Sequence, residues 1–387
     1  MKRAILLIIF LYNFNFIHAQ ENVITTAVPF LLVASDARSA GMGDNGVASS
    51  TDTFSQQWNP SKYAFANDQQ GFSLSYTPYL TDLVNDISLA QITYYNRYSD
   101  KSSFAGSFRY FGLGDIELRT DFDSQVVLVS PNEFAFDLSY ALKLSEKFSM
   151  AVAGRYINSN LKVATDNNDA TSSSSFAVDV AGFFQSEEIA YTDFNGRWRA
   201  GFNFQNMGPK MSYDNDDISA NFLPANMKLG GGFDFILDEY NKVAVNLEVS
   251  KLMVPTPQNP DLNGDGNITP EEEQQNRDDY QSINWFSGMF QSFTDAPGGF
   301  SEELKEVTYS IGSEYVYQDS FSFRAGYFHE SPDKGAREFF SLGAGFKYSS
   351  VKIDVSYLFS ASKIQNPLEN TLRFSLTFNF GEKYESF

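Results

Sequence analysis

The chain contains no cysteine. That absence excludes a disulfide framework, a thiol nucleophile and an acceptor for a lipid anchor. Histidine is nearly as scarce, with only His18 and His329 present. His329 ends a strand candidate, where it reads as an interfacial side chain rather than a base, and neither a Ser-His-Asp site nor a zinc site finds its parts. Carboxylates are plentiful but scattered through loops, so no pair has a defined acid–base geometry. An enzyme is not expected. Cationic residues are in deficit, 28 Lys and Arg against 48 Asp and Glu, for a formal charge of −20. Such a surface repels nucleic acid. No stretch reaches about 18 uninterrupted apolar residues, so no helix is expected to span a membrane.

Lys2 and Arg3 precede an apolar run over 4–12 that continues less cleanly to Ile17, and His18-Ala19-Gln20 offers a cleavage point. This reads as a secretory signal peptide over 1–19. Its loss removes His18 and takes the charge to −22 (−20 − 2, for Lys2 and Arg3).

Aromatic residues are abundant, 16% of the chain with 38 Phe. Near the C-terminus Leu372, Phe374, Leu376, Phe378 and Phe380 fall on one face of a strand, with Arg373, Ser375, Thr377 and Asn379 on the other. An apolar row outside and a polar row inside, sustained over about 9–11 residues, is what a tilted strand needs to cross a bilayer. About fourteen such segments can be read: 71–80, 87–98, 102–112, 133–144, 147–159, 174–185 and 196–207, then 225–236, 242–253, 307–318, 321–329, 338–348, 351–360 and 371–380. A weaker run over 125–129 belongs to a loop. Every second connection is short, as at 99–101, 145–146, 319–320 and 349–350, and those between are mostly long, as at 113–132, 160–173, 208–224 and 254–306. The longer turn at 186–195 is an exception. Short periplasmic turns and long extracellular loops mark an outer-membrane barrel, and an even strand number sends both termini to the periplasm. The expectation is an all-β membrane protein, an antiparallel barrel over 71–387 in the outer membrane.

The segment 20–70 has no period-2 row and carries Ser39-Ala40-Gly41-Met42-Gly43 and Asn59-Pro60-Ser61. Small residues allow close backbone packing. The segment is either a lumenal plug or a periplasmic tail.

Within the long loop, Asp261, Asn263, Asp265, Asn267, Thr269 and Glu272 occupy positions 1, 3, 5, 7, 9 and 12 of a loop with Gly266 at position 6. This spacing supplies oxygen ligands to a hard cation, Ca2+ above all. Pro255, Pro257 and Pro260 prevent an entering helix, and an exiting one can begin only at Pro270. The alternative is an acidic turn without an ion. Further on, Trp285, Phe286, Met289, Phe290 and Phe293 form one apolar stripe of a short helix. It either covers the barrel mouth or docks a partner.

Ser35-Asp36-Ala37-Arg38-Ser39-Ala40-Gly41-Met42-Gly43 followed by Trp58-Asn59-Pro60 resembles the N-terminal plug of FadL-type long-chain fatty acid transporters. A narrower resemblance, to the PorV (LptO) family, is carried by several stretches. They are Arg109-Tyr110-Phe111-Gly112-Leu113-Gly114-Asp115-Ile116, Leu223-Pro224-Ala225-Asn226, Val254-Pro255-Thr256-Pro257 and the run from Asp295 to Leu304. That family is an outer-membrane component of the type IX secretion system of Bacteroidota. The resemblance implies a FadL-like barrel with a lumenal plug and no catalytic residues. Its implied partners are the giant translocon barrel, the C-terminal signal domains of cargo such as gliding adhesins, a sortase-like attachment complex and outer-membrane lipid. Three roles stay open: a cargo shuttle, a FadL-like transporter of hydrophobic solutes, and a purely structural barrel. A transporter needs a continuous apolar tunnel; a docking subunit needs only a plugged barrel.

Overall fold

Alternating side chains become a closed wall. The computed structural model describes residues 23–79, 86–119, 126–161, 172–213, 220–361 and 371–384, so the leader expected over 1–19 lies outside the described residues. The first seven wall strands are β1 (Asp68–Pro78), β2 (Ile87–Arg97), β3 (Ser102–Leu113), β4 (Asn132–Ser145), β5 (Phe148–Asn160), β6 (Ser173–Gln185) and β7 (Asn195–Met207). The other seven are β8 (Asn226–Ile236), β9 (Asn241–Leu252), β10 (Val307–Tyr317), β11 (Phe321–His329), β12 (Glu338–Tyr348), β13 (Val351–Ser360) and β14 (Leu372–Lys383). Each pairs antiparallel with the next, and β14 returns to β1 with Ser75 opposite Ser375. The barrel is therefore closed at fourteen strands. Closure removes every edge, which hydrocarbon requires because it cannot hydrogen-bond an exposed N–H or C=O.

Face alternation follows the sequence closely. Phe72, Leu74 and Tyr76 of β1 are exposed outside, whereas Ser73, Ser75 and Thr77 are buried inside. On β14, Leu372, Phe374 and Phe378 face outward while Arg373, Ser375 and Thr377 face the lumen. The tight turns at the periplasmic end use left-handed residues, among them Gln318, Asp319 and Ser349. Two departures are local. β1 begins at Asp68 rather than at 71, because Asp68 and Gln70, on either side of an irregularity at Gln69, pair with the end of β14, and Gln70 also with β2, without contributing to the apolar row. The loop after β3 contains a small hairpin, Ile116–Leu118 against Val127–Val129, which lies outside the wall as the weak sequence run requires.

The residues before β1 run inside this wall. At the extracellular end Ala27 N–H donates to Phe222 O (2.9 Å), and Val28, Phe30 and Leu31 cluster with Leu89, Ile157 and Leu223. At the periplasmic end Arg97 donates to Ala66 O (2.7 Å). The first described residues therefore lie at the opposite end of the barrel from Tyr384, while both termini themselves fall outside the described residues. Strand parity fixes where β1 starts, not where a segment folded through the lumen comes from.

Two short helices, α1 (Ala37–Ala40) and α2 (Ser55–Trp58), organise this segment. Asp36 caps α1 by accepting from Ser39 N–H (2.8 Å) and also accepts from Trp58 Nε1 (2.7 Å), joining its two motif stretches. Asn59 Nδ2 donates to Gly182 O of β6 (3.0 Å). On the opposite wall, Arg38 pairs with Asp52 (2.8 Å) and Glu314 of β10 (2.7 Å), and Arg324 of β11 approaches Glu314 at 2.7 Å. Glu248 of β9 accepts from Gly46 and Val47 N–H (2.8 and 2.9 Å) and pairs with Lys228 (2.8 Å). Contact is closest at β11, where a Cβ on Gly326 would come within 2.0 Å of the Met42 carbonyl carbon.

Removing one member of a buried charge group leaves its partners uncompensated, which costs about 3–5 kcal/mol. Arg38→Ala is therefore expected to lower the unfolding temperature of the detergent-solubilised barrel while leaving its β-sheet circular dichroism intact. An unchanged melt would show that the Arg38 contacts add no net stability.

Candidate functional site

The loop over 254–306 is built on the extracellular rim. It begins with Val254-Pro255-Thr256-Pro257, passes the acidic turn and enters α3 (Pro270–Ser282), whose N-terminus is closed by a reciprocal Thr269–Glu272 capping box. No residue of α3 is buried. α4 (Trp285–Gln291) follows, capped by Asn284, and then α5 (Phe300–Glu303). Trp285 and Met289 pack with Ala225, Met253, Phe204, Met207 and Met227. Phe204 and Met227 are register partners on the outward rows of β7 and β8. α4 thus rests against the apolar outer rim rather than over the polar lumen, because that is where an apolar surface is available.

The five-residue stripe is consequently divided. Trp285 and Met289 face the wall. Phe286 and Phe290 are 56% and 65% exposed and meet edge to face at 5.4 Å, and Phe293 is partly exposed beneath the Lys251 ammonium.

A buried ionic clasp fixes the ends of the loop. Lys251 continues the outward row of Val245, Leu247 and Val249, and pairs with Glu303 (3.0 Å) and Glu306 (2.6 Å). Glu306 also accepts from Thr256 Oγ1 (2.7 Å) and approaches Lys334 (3.1 Å), which reaches Glu302 at 2.5 Å. Thr256 N–H donates to Asp295 (3.2 Å), and Ala296 N–H to Glu303 (2.8 Å). The stretches at 254–257 and 295–304 therefore meet in space. Lys251, Glu306 and Lys334 were not singled out from sequence. A cation in an otherwise lipid-facing row was the available clue.

The candidate cation residues share one exposed turn. Asp261 accepts from Gly264 and Gly266 N–H (2.8 and 2.9 Å), Asn263 from Asp265 N–H (2.8 Å), and Asp265 from Asn267 N–H (2.7 Å). Gly264 and Gly266 adopt φ of 74° and 79°, the left-handed geometry such a turn needs. Glu272 accepts from Thr269 N–H (3.0 Å). The donor set is all oxygen, which suits a hard cation. Among the described residues, however, no group of three or more His, Asp or Glu side chains is arranged to hold a metal ion. The case for Ca2+ rests on ligand spacing.

Two cavities lie at opposite ends of the barrel and share no lining residue. One, about 1170 Å³, is bounded by periplasmic turns and Phe65, Arg97 and Lys143. The other, about 430 Å³, is extracellular and bounded by Val23, Pro29, Trp58, Leu252, Phe328 and Arg337. Between them the N-terminal segment and the inward charges occupy the lumen. His329 stacks on Tyr309 at 4.7 Å and lies 3.8 Å from Glu338, at the extracellular end of β11.

Comparison with known proteins bears on this arrangement. A family model described as "Type IX secretion system protein PorV" matches residues 16–259. No curated protein matches the chain. Among solved structures, the chain is similar to the toluene transporter TodX of P. putida, with a TM-score of 0.52 at 12% identity over 91% of this chain and 100% of that one. It is also similar to the CymD monoaromatic hydrocarbon channel, with a TM-score of 0.50 at 13% identity over 91% of this chain and 99% of that one. At such identities the likeness is one of fold.

The clasp predicts a pH response. Burial, reinforced by Glu303 and Glu306, pushes the Asp295 carboxyl up to about 6, against the hydrogen bond from Thr256. A carboxyl raised above its ordinary 3.8 opposes the folded clasp when ionised. That cost is full above about pH 6 and fades as the pH falls towards the ordinary value. Backbone hydrogen exchange over 295–304, corrected for intrinsic rates, should slow between pH 7.5 and 5.5 (both values about the raised pKa). Asp295→Asn should be slow at both. Equal pH dependence in the two proteins would refute this assignment.

Proposed function

The chain belongs to the PorV family of type IX secretion system proteins, and from that premise we propose that it receives exported cargo at the giant translocon barrel and passes it to the cell-surface attachment machinery. It is an outer-membrane protein. The family match carries the reading. In this proposal cargo is recognised by its C-terminal signal domain, and the loop over 254–306 offers the acidic and apolar contact surface, with Phe293 beside the clasp. The N-terminal segment serves as a lumenal plug and no step of the function is catalytic.

The second reading, a FadL-like transporter of hydrophobic solutes, draws on the likeness to TodX and CymD, which is of fold alone. Two cavities separated by a charged, occupied lumen favour the plugged barrel over a continuous apolar tunnel.

Bound Ca2+ is part of the same proposal, as a stiffener of a long acidic turn. Asp261, Asn263, Asp265, Asn267, Thr269 and Glu272 would hold it through carboxylate, amide, hydroxyl or main-chain oxygens. Weak extracellular sites fill at about 0.1–1 mM.

Replacing 261–293 by a short glycine-serine linker is expected to leave the barrel inserted and to abolish co-purification with translocon and cargo from membranes. Undiminished recovery of both would remove the loop from the docking role. Protease digestion of the loop in the unmodified protein should accelerate on chelation of Ca2+, and Asp261→Ala with Glu272→Ala should abolish that difference. Identical digestion of the unmodified protein with and without chelator would defeat the ion site.

A further inference from the structure

α4 lies where the wall meets the extracellular face, and its two sides have different surroundings. Its inner side, Trp285 and Met289, rests on Phe204 and Met227, which belong to the lipid-facing rows of β7 and β8. Its outer side, Phe286 and Phe290, is more than half exposed. Those rings therefore stand one side chain farther out than Phe204 and Met227, which carry the outward apolar rows up to the extracellular rim. α3, just before it, carries Glu271, Glu272, Glu273, Asp278 and Asp279 with nothing buried, and it belongs in water. The apolar rings of α4 and the solvated acidic helix before it therefore call for different surroundings.

We propose that Phe286 and Phe290 are immersed in the outer leaflet, so that α4 anchors the long loop to the membrane beside the barrel. The occupant is lipid acyl chain, and the ground for it is continuity with the outward rows of β7 and β8. The clasp at Lys251, Glu303 and Glu306 fixes the loop's return to β10 and so keeps α4 at this depth. The anchoring depends on the outer-membrane wall and not on the shuttle role, so either can fail without the other.

The absence of cysteine makes the test direct. Phe286→Cys and Phe290→Cys are introduced singly into the full chain, spin-labelled, and reconstituted into phospholipid vesicles. Leu247→Cys, on the outward face of β9, gives the lipid reference, and Gln275→Cys, exposed on α3, gives the aqueous one. Labels at 286 and 290 should relax faster with oxygen than with an aqueous nickel complex, as at 247 and opposite to 275. A nickel-dominated response like that at 275 would overturn the proposal. So would exclusion of both reagents in the isolated protein, which would mean burial by the chain itself. A nickel-dominated response that disappears on adding purified translocon would overturn it in favour of a protein partner.

Discussion

Hydrocarbon offers no hydrogen bonds, and the backbone must therefore satisfy itself before any side chain matters. Fourteen strands meet that demand by closing β14 onto β1. Closure also creates a problem of space. Around eight strands enclose a lumen that wall side chains alone can fill, and a wider ring leaves room to spare. The residues from Ala27 to Ala66 take up that room. Their main chain brings new N–H and C=O groups into the interior, and the inward residues of the wall meet them, as Glu248 meets Gly46 and Val47.

The same chemistry recurs at the extracellular rim. In the lumen, arginines stand among carboxylates from different elements: Arg38 with Asp52 and Glu314, and Arg155 with Asp137 and Asp179. At the rim, Lys251 and Lys334 join Glu302, Glu303 and Glu306 to bind a long excursion back to the strands it leaves. Buried charge groups of this kind add little net stability compared with apolar packing, but losing one partner leaves the others uncompensated. Each such group ties a connecting segment to the wall.

Most of the wall was legible in the sequence because lipid imposes a two-residue period on each strand independently. Leu372, Phe374 and Phe378 declare their face without reference to any neighbour. The interior was not legible in that way. Arg38 and Glu314 are separated by 276 positions, and their pairing follows only once strand order, tilt and the path of the N-terminal segment are fixed together. The rim helix was half legible: spacing groups Trp285, Phe286, Met289, Phe290 and Phe293, but only the outward Phe204 and Met227 decide which of them turn inward. Strand ends escaped for a simpler reason. Asp68, Gln69 and Gln70 lie beyond the hydrocarbon, where pairing continues after the apolar pattern has stopped.

The tight fit of Met42 against Gly326 makes glycine obligatory at that point of the wall. A Cβ there would fall within 2.0 Å of the Met42 carbonyl carbon. The segment cannot easily retreat, being tied to β6 through Asn59 and to β10 through Arg38, so one missing side chain in a strand sets how near the interior backbone can come.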